Sequence, residues 1–269
     1  MKKLVRDLMH AGLLTCPAEA SLGQVAVLLT RHHVHALVVA GADKQPVGII
    51  SDSDLLAGEW LSADSDSLAA MRKLTAGELM SSPIDTIEGS QPLSLAAHSL
   101  IEKHINRLLV TEQGVPAGVI STSDFVSSIA MQESPMRETV ADVMSEAILV
   151  CREKTRLASA ARTLTQAGWR SVLVVDAQGR PQGVVSGKDL LPYVDHGLDE
   201  TLTVSDIMHP ALTIDIHARL REAADMMIQQ HYHRLVVIDQ QDPQAFPLGI
   251  ISSFDIVAEM ARPGSIWQK

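Results

Sequence analysis

The chain has 269 residues, is 46% apolar and carries a formal net charge of −10, which suits one or two compact domains with sizeable cores. The acidic balance argues against a nucleic-acid partner, because a surface that binds phosphate backbones is basic. With only two cysteines, no disulfide framework is predicted and a cytoplasmic location is expected. No apolar run has the roughly 18–20 residues of a membrane span, so no membrane partner is expected.

The first predicted element is a short opening segment with the letters VRDLM at 5–9, and an apolar strand position at Cys16 follows it. Apolar residues at 22, 25, 26 and 29 then have the i, i+3, i+4, i+7 spacing of an amphipathic helix. Two short apolar runs around a polar turn predict a pair of strands, and the second run ends in GIISDSD at 48–54. A last helix is expected to begin at this closing mark.

This series of elements occurs four times along the chain. The opening segment returns as AGELM at 76–80, VADVM at 140–144 and VSDIM at 204–208. The closing mark returns as GVISTSD at 118–124, GVVSGKD at 183–189 and GIISSFD at 249–255. A period of roughly 65–70 residues predicts four copies of one fold unit. We assign these units to residues 1–58, 74–132, 138–195 and 202–262.

The repeated unit resembles the CBS domain in its D/E-h-M opening, its RLVVID-type strand and its G-h-h-S-x-x-D close. The resemblance covers essentially the whole chain. It implies an α/β fold of four β-α-β-β-α repeats packed as two tandem pairs (Bateman modules), 1–132 and 138–262. It also implies two clefts in each pair, which commonly hold adenosine-containing ligands. The fourth unit is similar to nucleotide-binding units in the gamma subunit of AMP-activated protein kinase.

The Ser-x-x-Asp of each closing mark has two interpretations. It matches a capping box, which stabilises a helix start and needs no ligand. The same geometry suits a nucleotide, because helix N–H groups attract phosphate, a carboxylate can accept from ribose hydroxyls, and the preceding glycine would leave room for a base. Because all four units have both residue types, we predict ribose binding by Asp54, Asp124, Asp189 and Asp255 and phosphate binding by Ser51, Ser121, Ser186 and Ser252.

Cationic side chains near the start of the second predicted strand supply the charge that phosphate requires. In the resembling kinase subunit, a His-Arg pair at this position contacts phosphates, which implies the same role for the pair in unit four. Units two and three have an arginine there, whereas unit one has only a histidine. The predicted phosphate-contacting cations are His35, Arg107, Arg170, Lys188, His233 and Arg234.

Metal and catalytic sites are not predicted. The histidine clusters RHHVH at 31–35 and HYH at 231–233 could hold a divalent metal, but no further ligand with suitable spacing lies nearby. No phosphate loop, nucleophile elbow or HExxH helix occurs, and acids and histidines are spread in register across the repeats. We therefore do not expect an enzyme.

The expected function is regulatory sensing of an adenine nucleotide (AMP, ADP or ATP) in clefts between repeats, without a cofactor. The output would pass through an effector protein or through self-association as a homodimer, because no effector domain is recognised in the sequence. Two alternatives remain open. One is a structural scaffold with degenerate clefts, and the other is a sensor of another adenosyl ligand such as S-adenosylmethionine or NAD.

Overall fold

The computed structural model describes residues 3–55, 73–130, 138–191 and 201–262. Each repeat contains the predicted order of strand, helix, strand, strand and helix, which confirms a mixed α/β fold of four repeats. The predicted ends of the first three repeats, at 58, 132 and 195, lie outside the described ranges. None of the helices in the described part of the chain combines the length and hydrophobicity that a membrane crossing needs.

The elements of the first two repeats follow one another in the predicted order. Repeat 1 has a 3-10 turn at Val5–Asp7, β1 (His10–Ala11), β2 (Thr15–Pro17), α1 (Leu22–His32), β3 (Ala36–Ala40), β4 (Pro46–Ser51) and helical residues 52–55. Repeat 2 has α2 (Ala76–Leu79), β5 (Thr86–Glu88), α3 (Leu93–Glu102), β6 (Arg107–Glu112), β7 (Val115–Ser121) and α4 (Thr122–Ala130).

The last two repeats have the same series. Repeat 3 has α5 (Val140–Val143), β8 (Val150–Arg152), α6 (Leu157–Ala167), β9 (Ser171–Val175), β10 (Pro181–Ser186) and α7 (Gly187–Leu190). Repeat 4 has a 3-10 turn at Val204–Asp206, β11 (His209–Pro210), β12 (Thr213–Asp215), α8 (Leu220–Gln230), β13 (Arg234–Ile238), β14 (Pro247–Ser252) and α9 (Ser253–Ala261).

The helix that follows the first strand of each repeat buries the predicted apolar stripe. In α1, Ser21 caps the start by accepting a hydrogen bond from the backbone of Gln24 at 3.2 Å, and His33 ends the helix in a left-handed conformation. The stripe of α1 is buried, as are its counterparts in α6 and α8. Each helix therefore packs its apolar face inward, as its period predicts.

The opening segments (5–11, 76–81, 140–145 and 204–210) do not pack on the strands that follow them. In repeat 1, β1 pairs with β7 of repeat 2, and Val5 donates its N–H to the carbonyl of Gln91 at 2.9 Å. The opening segment of repeat 2 in turn bonds to repeat 1, because the N–H of Ala76 donates to the carbonyl of Ala20 at 2.8 Å. Repeats 3 and 4 exchange their opening segments in the same way.

The chain forms two compact units, and the expected modules 1–132 and 138–262 stay a prediction. Unit 1 combines Met1–Leu13, Asp85–Ile148 and Leu212–Lys269, and unit 2 combines Leu14–Ile84 and Leu149–Ala211. Unit 1 therefore holds the main sheets and helices of repeats 2 and 4, and unit 2 holds those of repeats 1 and 3. In unit 1, helix packing holds repeats 2 and 4 together, because α3 lies against α9, and α4 lies against both α8 and α9.

The glycine of each closing mark lies against an exchanged opening segment. A Cβ atom added to Gly249 would lie 2.7 Å from the carbonyl oxygen of Ser145 and 2.9 Å from the Sδ atom of Met144. The glycines at 48, 118 and 183 meet the other segments in the same way. Glycine at these positions therefore admits the close approach of the exchanged segments, and a contact of this backbone with a ligand base stays a prediction.

Replacing Gly249 by alanine is expected to lower the free energy of unfolding by about 1–3 kcal/mol, because a backbone carbonyl must move to admit the new methyl group. Urea denaturation measures the change. Leu248→Ala on the same strand is the control, since Leu248 is 38% exposed and its truncation should cost within about 0.5 kcal/mol. If Gly249→Ala is as stable as the wild type, the opening segment of repeat 3 moves aside without a loss of folding free energy.

Candidate functional site

The closing marks have the same local geometry in all four repeats. Oδ2 of each aspartate accepts hydrogen bonds from both the backbone N–H and the hydroxyl of the serine three residues earlier, at 2.6–2.8 Å. The capping-box interpretation is therefore realised. The serine hydroxyl has one hydrogen, and this contact uses it. Phosphate binding by Ser51, Ser121, Ser186 and Ser252 stays a prediction.

The second carboxylate oxygen differs between repeats. Oδ1 of Asp124 lies 2.8 Å from Nε2 of His10, and Oδ1 of Asp189 lies 2.8 Å from Nε2 of His209. Both histidines come from exchanged opening segments, where repeats 2 and 3 have serine instead. Sequence reasoning missed them, although the histidine that follows the methionine of the D-h-M mark in repeats 1 and 4 was the available signal.

Burial changes the pKa of two of the four aspartates. Burial raises the pKa of Asp124, while hydrogen bonds from Ser121 and the neighbouring His10 and Arg107 lower it. Burial likewise raises the pKa of Asp255, opposed by Ser252 and Arg234. Because an ionised carboxylate is costly in such surroundings, both groups gain from a donor that arrives with a ligand.

An arginine stands beside each of these two aspartates because of strand register. Arg107 in β6 lies directly opposite Ser121 in β7, and Arg234 in β13 lies directly opposite Ser252 in β14. Residues directly opposite in an antiparallel pair project from the same face of the sheet. Each main sheet of unit 1 therefore presents a predicted ribose acid and a predicted phosphate cation together.

The two closing marks of unit 1 also meet each other. Oγ1 of Thr122 lies 3.4 Å from Oγ of Ser253, and Oγ of Ser123 lies 3.2 Å from Nδ1 of His233. The beginnings of α4 and α9 thus lie together, with the predicted cation His233 between the two repeats. Groups bound at the two helix starts would be neighbours.

Asp255 lines a cavity of about 400 Å³ in unit 1. Other charged groups in its lining are Asp142, Glu259 and Arg262, and His98 adds a ring nitrogen. The volume falls within the range of small-molecule sites, which is about 300–1,000 Å³. Three of its four charged lining groups are carboxylates, and Arg234, the predicted phosphate cation of the repeat, does not line it.

Unit 2 holds the remaining predicted residues in a different arrangement. Opposite the closing serines lie Ala36 and Ser171 instead of arginines. The cations occur one residue earlier, as His35 and Arg170, and Lys188 is half-buried next to Asp189 in α7. The structure thus divides the predicted site residues between two clusters of different composition.

Arg170 in unit 2 is exposed. Desolvation by neighbouring protein lowers the pKa of its guanidinium, while the carboxylates of Asp52 and Asp54 raise it. The guanidinium of repeat 3 therefore interacts with the closing mark of repeat 1. Sequence reasoning singled out Arg170 but not its acidic neighbour Asp52.

The histidine clusters have structural roles at helix ends. His33 and His231 close α1 and α8 in the left-handed backbone conformation. Within the described ranges, no three His, Cys, Asp or Glu side chains are grouped as a metal site requires.

A family model described as CBS domain matches four stretches of the chain, residues 5–59, 76–131, 140–196 and 204–262. Among curated proteins, an uncharacterized protein of Methanopyrus kandleri is 26% identical over 137 residues, which are 49% of this chain and 70% of that protein. The uncharacterized protein MJ1225 of Methanocaldococcus jannaschii is 21% identical over 204 residues, 70% of this chain and 69% of that protein.

Two solved structures are similar over nearly the whole chain. The crystal structure of MJ1225, a protein proposed to be an archaeal homologue of g-AMPK, superposes with a TM-score of 0.81 at 18% identity and covers 95% of this chain and 99% of that chain. An uncharacterized protein from Pyrococcus horikoshii superposes with a TM-score of 0.66 at 20% identity and covers 95% and 98%. At these identities the likeness shows a shared fold.

Proposed function

Because the chain belongs to the CBS domain family, we propose that it is a regulatory protein that binds an adenine nucleotide in unit 1. It senses AMP, ADP or ATP in the cytoplasm and catalyses no reaction. The proposal extends the regulatory role of the family to a particular ligand and to particular residues.

The observation that carries the proposal is the repeated pairing of acid and arginine in unit 1. Asp124 and Arg107 lie together in repeat 2, and Asp255 and Arg234 lie together in repeat 4. A capping box needs an acid but gains nothing from an arginine opposite its serine. A nucleotide needs both, since its ribose donates hydrogen bonds and its phosphate accepts them.

The structure suggests which atoms would hold the ligand. Oδ2 of Asp255 is occupied by Ser252, which leaves Oδ1 as the acceptor for a ribose hydroxyl. The guanidinium of Arg234 would contact the phosphate. Asp124 and Arg107 would do the same at α4, once a ribose hydroxyl replaces His10 on Oδ1. At the start of α9, the N–H of Ser253 already donates to the carbonyl of His233 at 2.9 Å, and the N–H of Asp255 to Oγ of Ser252 at 3.5 Å.

Regulation would follow from the meeting of the two closing marks. A phosphate near Thr122 and Ser253 contacts groups of both repeats, so it would favour the arrangement in which α4 and α9 begin side by side. A ligand changes such an equilibrium only by its difference in affinity for two arrangements. We propose that an effector protein, or a second copy of the chain, reads this change.

A structural scaffold is the second candidate, and the complete capping boxes favour it. Each serine and aspartate already satisfies the other without any ligand. A protein that used the closing marks only as helix caps would keep this geometry and bind no nucleotide.

A thermal-shift panel on nucleotide-stripped protein separates the candidates. AMP, ADP or ATP at about 100 times its dissociation constant should add about 2.7 kcal/mol to the free energy of unfolding, because only the folded state binds. GTP is the control for recognition of the base, and NAD and S-adenosylmethionine test other adenosyl ligands. No shift with any adenosine compound would leave the scaffold interpretation.

A further inference from the structure

Two of the four closing aspartates are contacted by a histidine from an exchanged opening segment. In unit 1, Nε2 of His10 lies 2.8 Å from Oδ1 of Asp124. In unit 2, Nε2 of His209 lies 2.8 Å from Oδ1 of Asp189. Because an ionised carboxylate oxygen can only accept, the ring nitrogen is the donor in both contacts. The same contact therefore occurs once in each unit.

Within the described ranges, the other closing aspartate of unit 1, Asp255, has no counterpart of this contact. In the opening segment that lies against its strand, Ser145 pairs with Ile250. His10 pairs with Val119 in the same register of the other sheet. A short hydroxyl side chain thus stands where repeat 1 supplies an imidazole. The two acids of unit 1 therefore differ in what covers them.

His10 stands between Asp124 and the solvent. The side chain of Asp124 is 6% exposed, whereas that of His10 is 83% exposed. Oδ2 of Asp124 already accepts from the N–H and the hydroxyl of Ser121. A ribose hydroxyl that arrives from solvent must therefore use Oδ1, which is the atom that His10 contacts. The imidazole and a ribose would compete for one acceptor.

The imidazole can leave Asp124 without unfolding its segment. The backbone of the segment is fixed by the pairing of His10 and Ala11 with β7 and by the N–H of Val5, which donates to the carbonyl of Gln91 at 2.9 Å. The side chain itself is mostly in water, where rotamers interchange rapidly. An ion pair with such an exposed partner changes an equilibrium by about fivefold at most. The contact therefore weakens ligand binding without preventing it.

We propose that His10 is an autoinhibitory residue, which lowers the nucleotide affinity of repeat 2 by occupying its ribose acceptor. The inference rests on the proposed function, because it takes the ribose role of Asp124 from it. Unit 1 then fills in sequence, with repeat 4 binding first and repeat 2 binding at about fivefold higher nucleotide concentration. Two unequal sites respond over a wider range of concentration than two equal sites do.

Titration calorimetry of Asp255→Ala protein with AMP measures the site of repeat 2, because this variant lacks the ribose acceptor of repeat 4. In this background, His10→Ser copies the serine of the equivalent segments and should raise AMP affinity about fivefold. A second probe, 2′,3′-dideoxy-AMP, has no ribose hydroxyls and does not compete with His10, so its affinity should stay unchanged. His217→Ala is the control, since it removes an exposed histidine of unit 1 that lies outside the opening and closing segments.

The reciprocal variant installs the contact where the wild type lacks it. Ser145→His, in protein that keeps Asp255, should lower AMP affinity at repeat 4 about fivefold. A loss in this variant and a gain in His10→Ser cannot both come from misfolding.

Two results would overturn the inference and leave the proposed function intact. One is the absence of both the gain in His10→Ser and the loss in Ser145→His. The other is a gain in His10→Ser that is equal for AMP and 2′,3′-dideoxy-AMP, because the ribose acceptor would then play no part in it. If wild-type protein binds no AMP at all, the proposed function and this inference fail together.

Discussion

Asp255→Ala is expected to lower AMP affinity at repeat 4 about 100-fold, which equals about 2.7 kcal/mol of binding free energy. The variant removes a carboxylate acceptor for ribose, and hydrogen bonds to charged groups contribute about 1.5–3 kcal/mol. The same change deletes the capping contacts of Ser252, for which the expected cost in folding free energy is only about 1 kcal/mol. Titration calorimetry measures the affinity, and urea denaturation measures the stability.

A matched control separates the ligand role of Asp255 from its capping role. Asp206 forms the same two contacts with Thr203, at 2.7 and 2.8 Å, but is exposed and belongs to an opening segment. Asp206→Ala should therefore leave AMP affinity at its wild-type value. Equal AMP affinity in Asp255→Ala and wild type would assign Asp255 to helix capping alone.

Phe125→Ala is expected to reduce the free energy of unfolding by about 3–5 kcal/mol, because it removes a large side chain from a packed core. Phe125 lies in α4, is 0% exposed and belongs to a cluster that contains side chains of both repeats 2 and 4. The cavity would open where the helices of these repeats meet. Urea denaturation gives the loss directly.

Phe246→Ala is the control for this substitution, since it makes the same chemical change at a side chain that is 38% exposed. Its effect should stay within about 0.5 kcal/mol. A small loss for Phe125→Ala would mean that the core of unit 1 collapses around the missing ring, contrary to the close packing expected of a protein interior.

The sequence predicted what depends on local period and repetition. The stripe of α1, with Leu22, Val25 and Leu29, is buried as its spacing indicates, and the strand pairs follow the apolar runs. The closing marks fold as Ser-x-x-Asp caps at the start of the last helix. These features depend on residues that are close in sequence, and their recurrence at matching positions of four repeats makes them recognisable.

The partners of each segment could not be predicted in this way. His10 bonds to Asp124, and Arg170 interacts with Asp52, across more than a hundred residues of chain. A period of about 65–70 residues shows that units exist but not which units pack together. The grouping of repeats 2 and 4 depends on long-range helix contacts around residues such as Phe125, which have no local signature.

The exchange of opening segments also bears on how a single repeat would behave alone. A single repeat, cut at the boundaries that its sequence suggests, would leave a strand uncovered at the glycine of its closing mark. Only another copy could supply the methionine-bearing segment that covers it, as Met144 covers Gly249. A single repeat expressed alone would therefore need a second copy, whose opening segment covers this strand, to reproduce the contacts that each repeat has in the full chain.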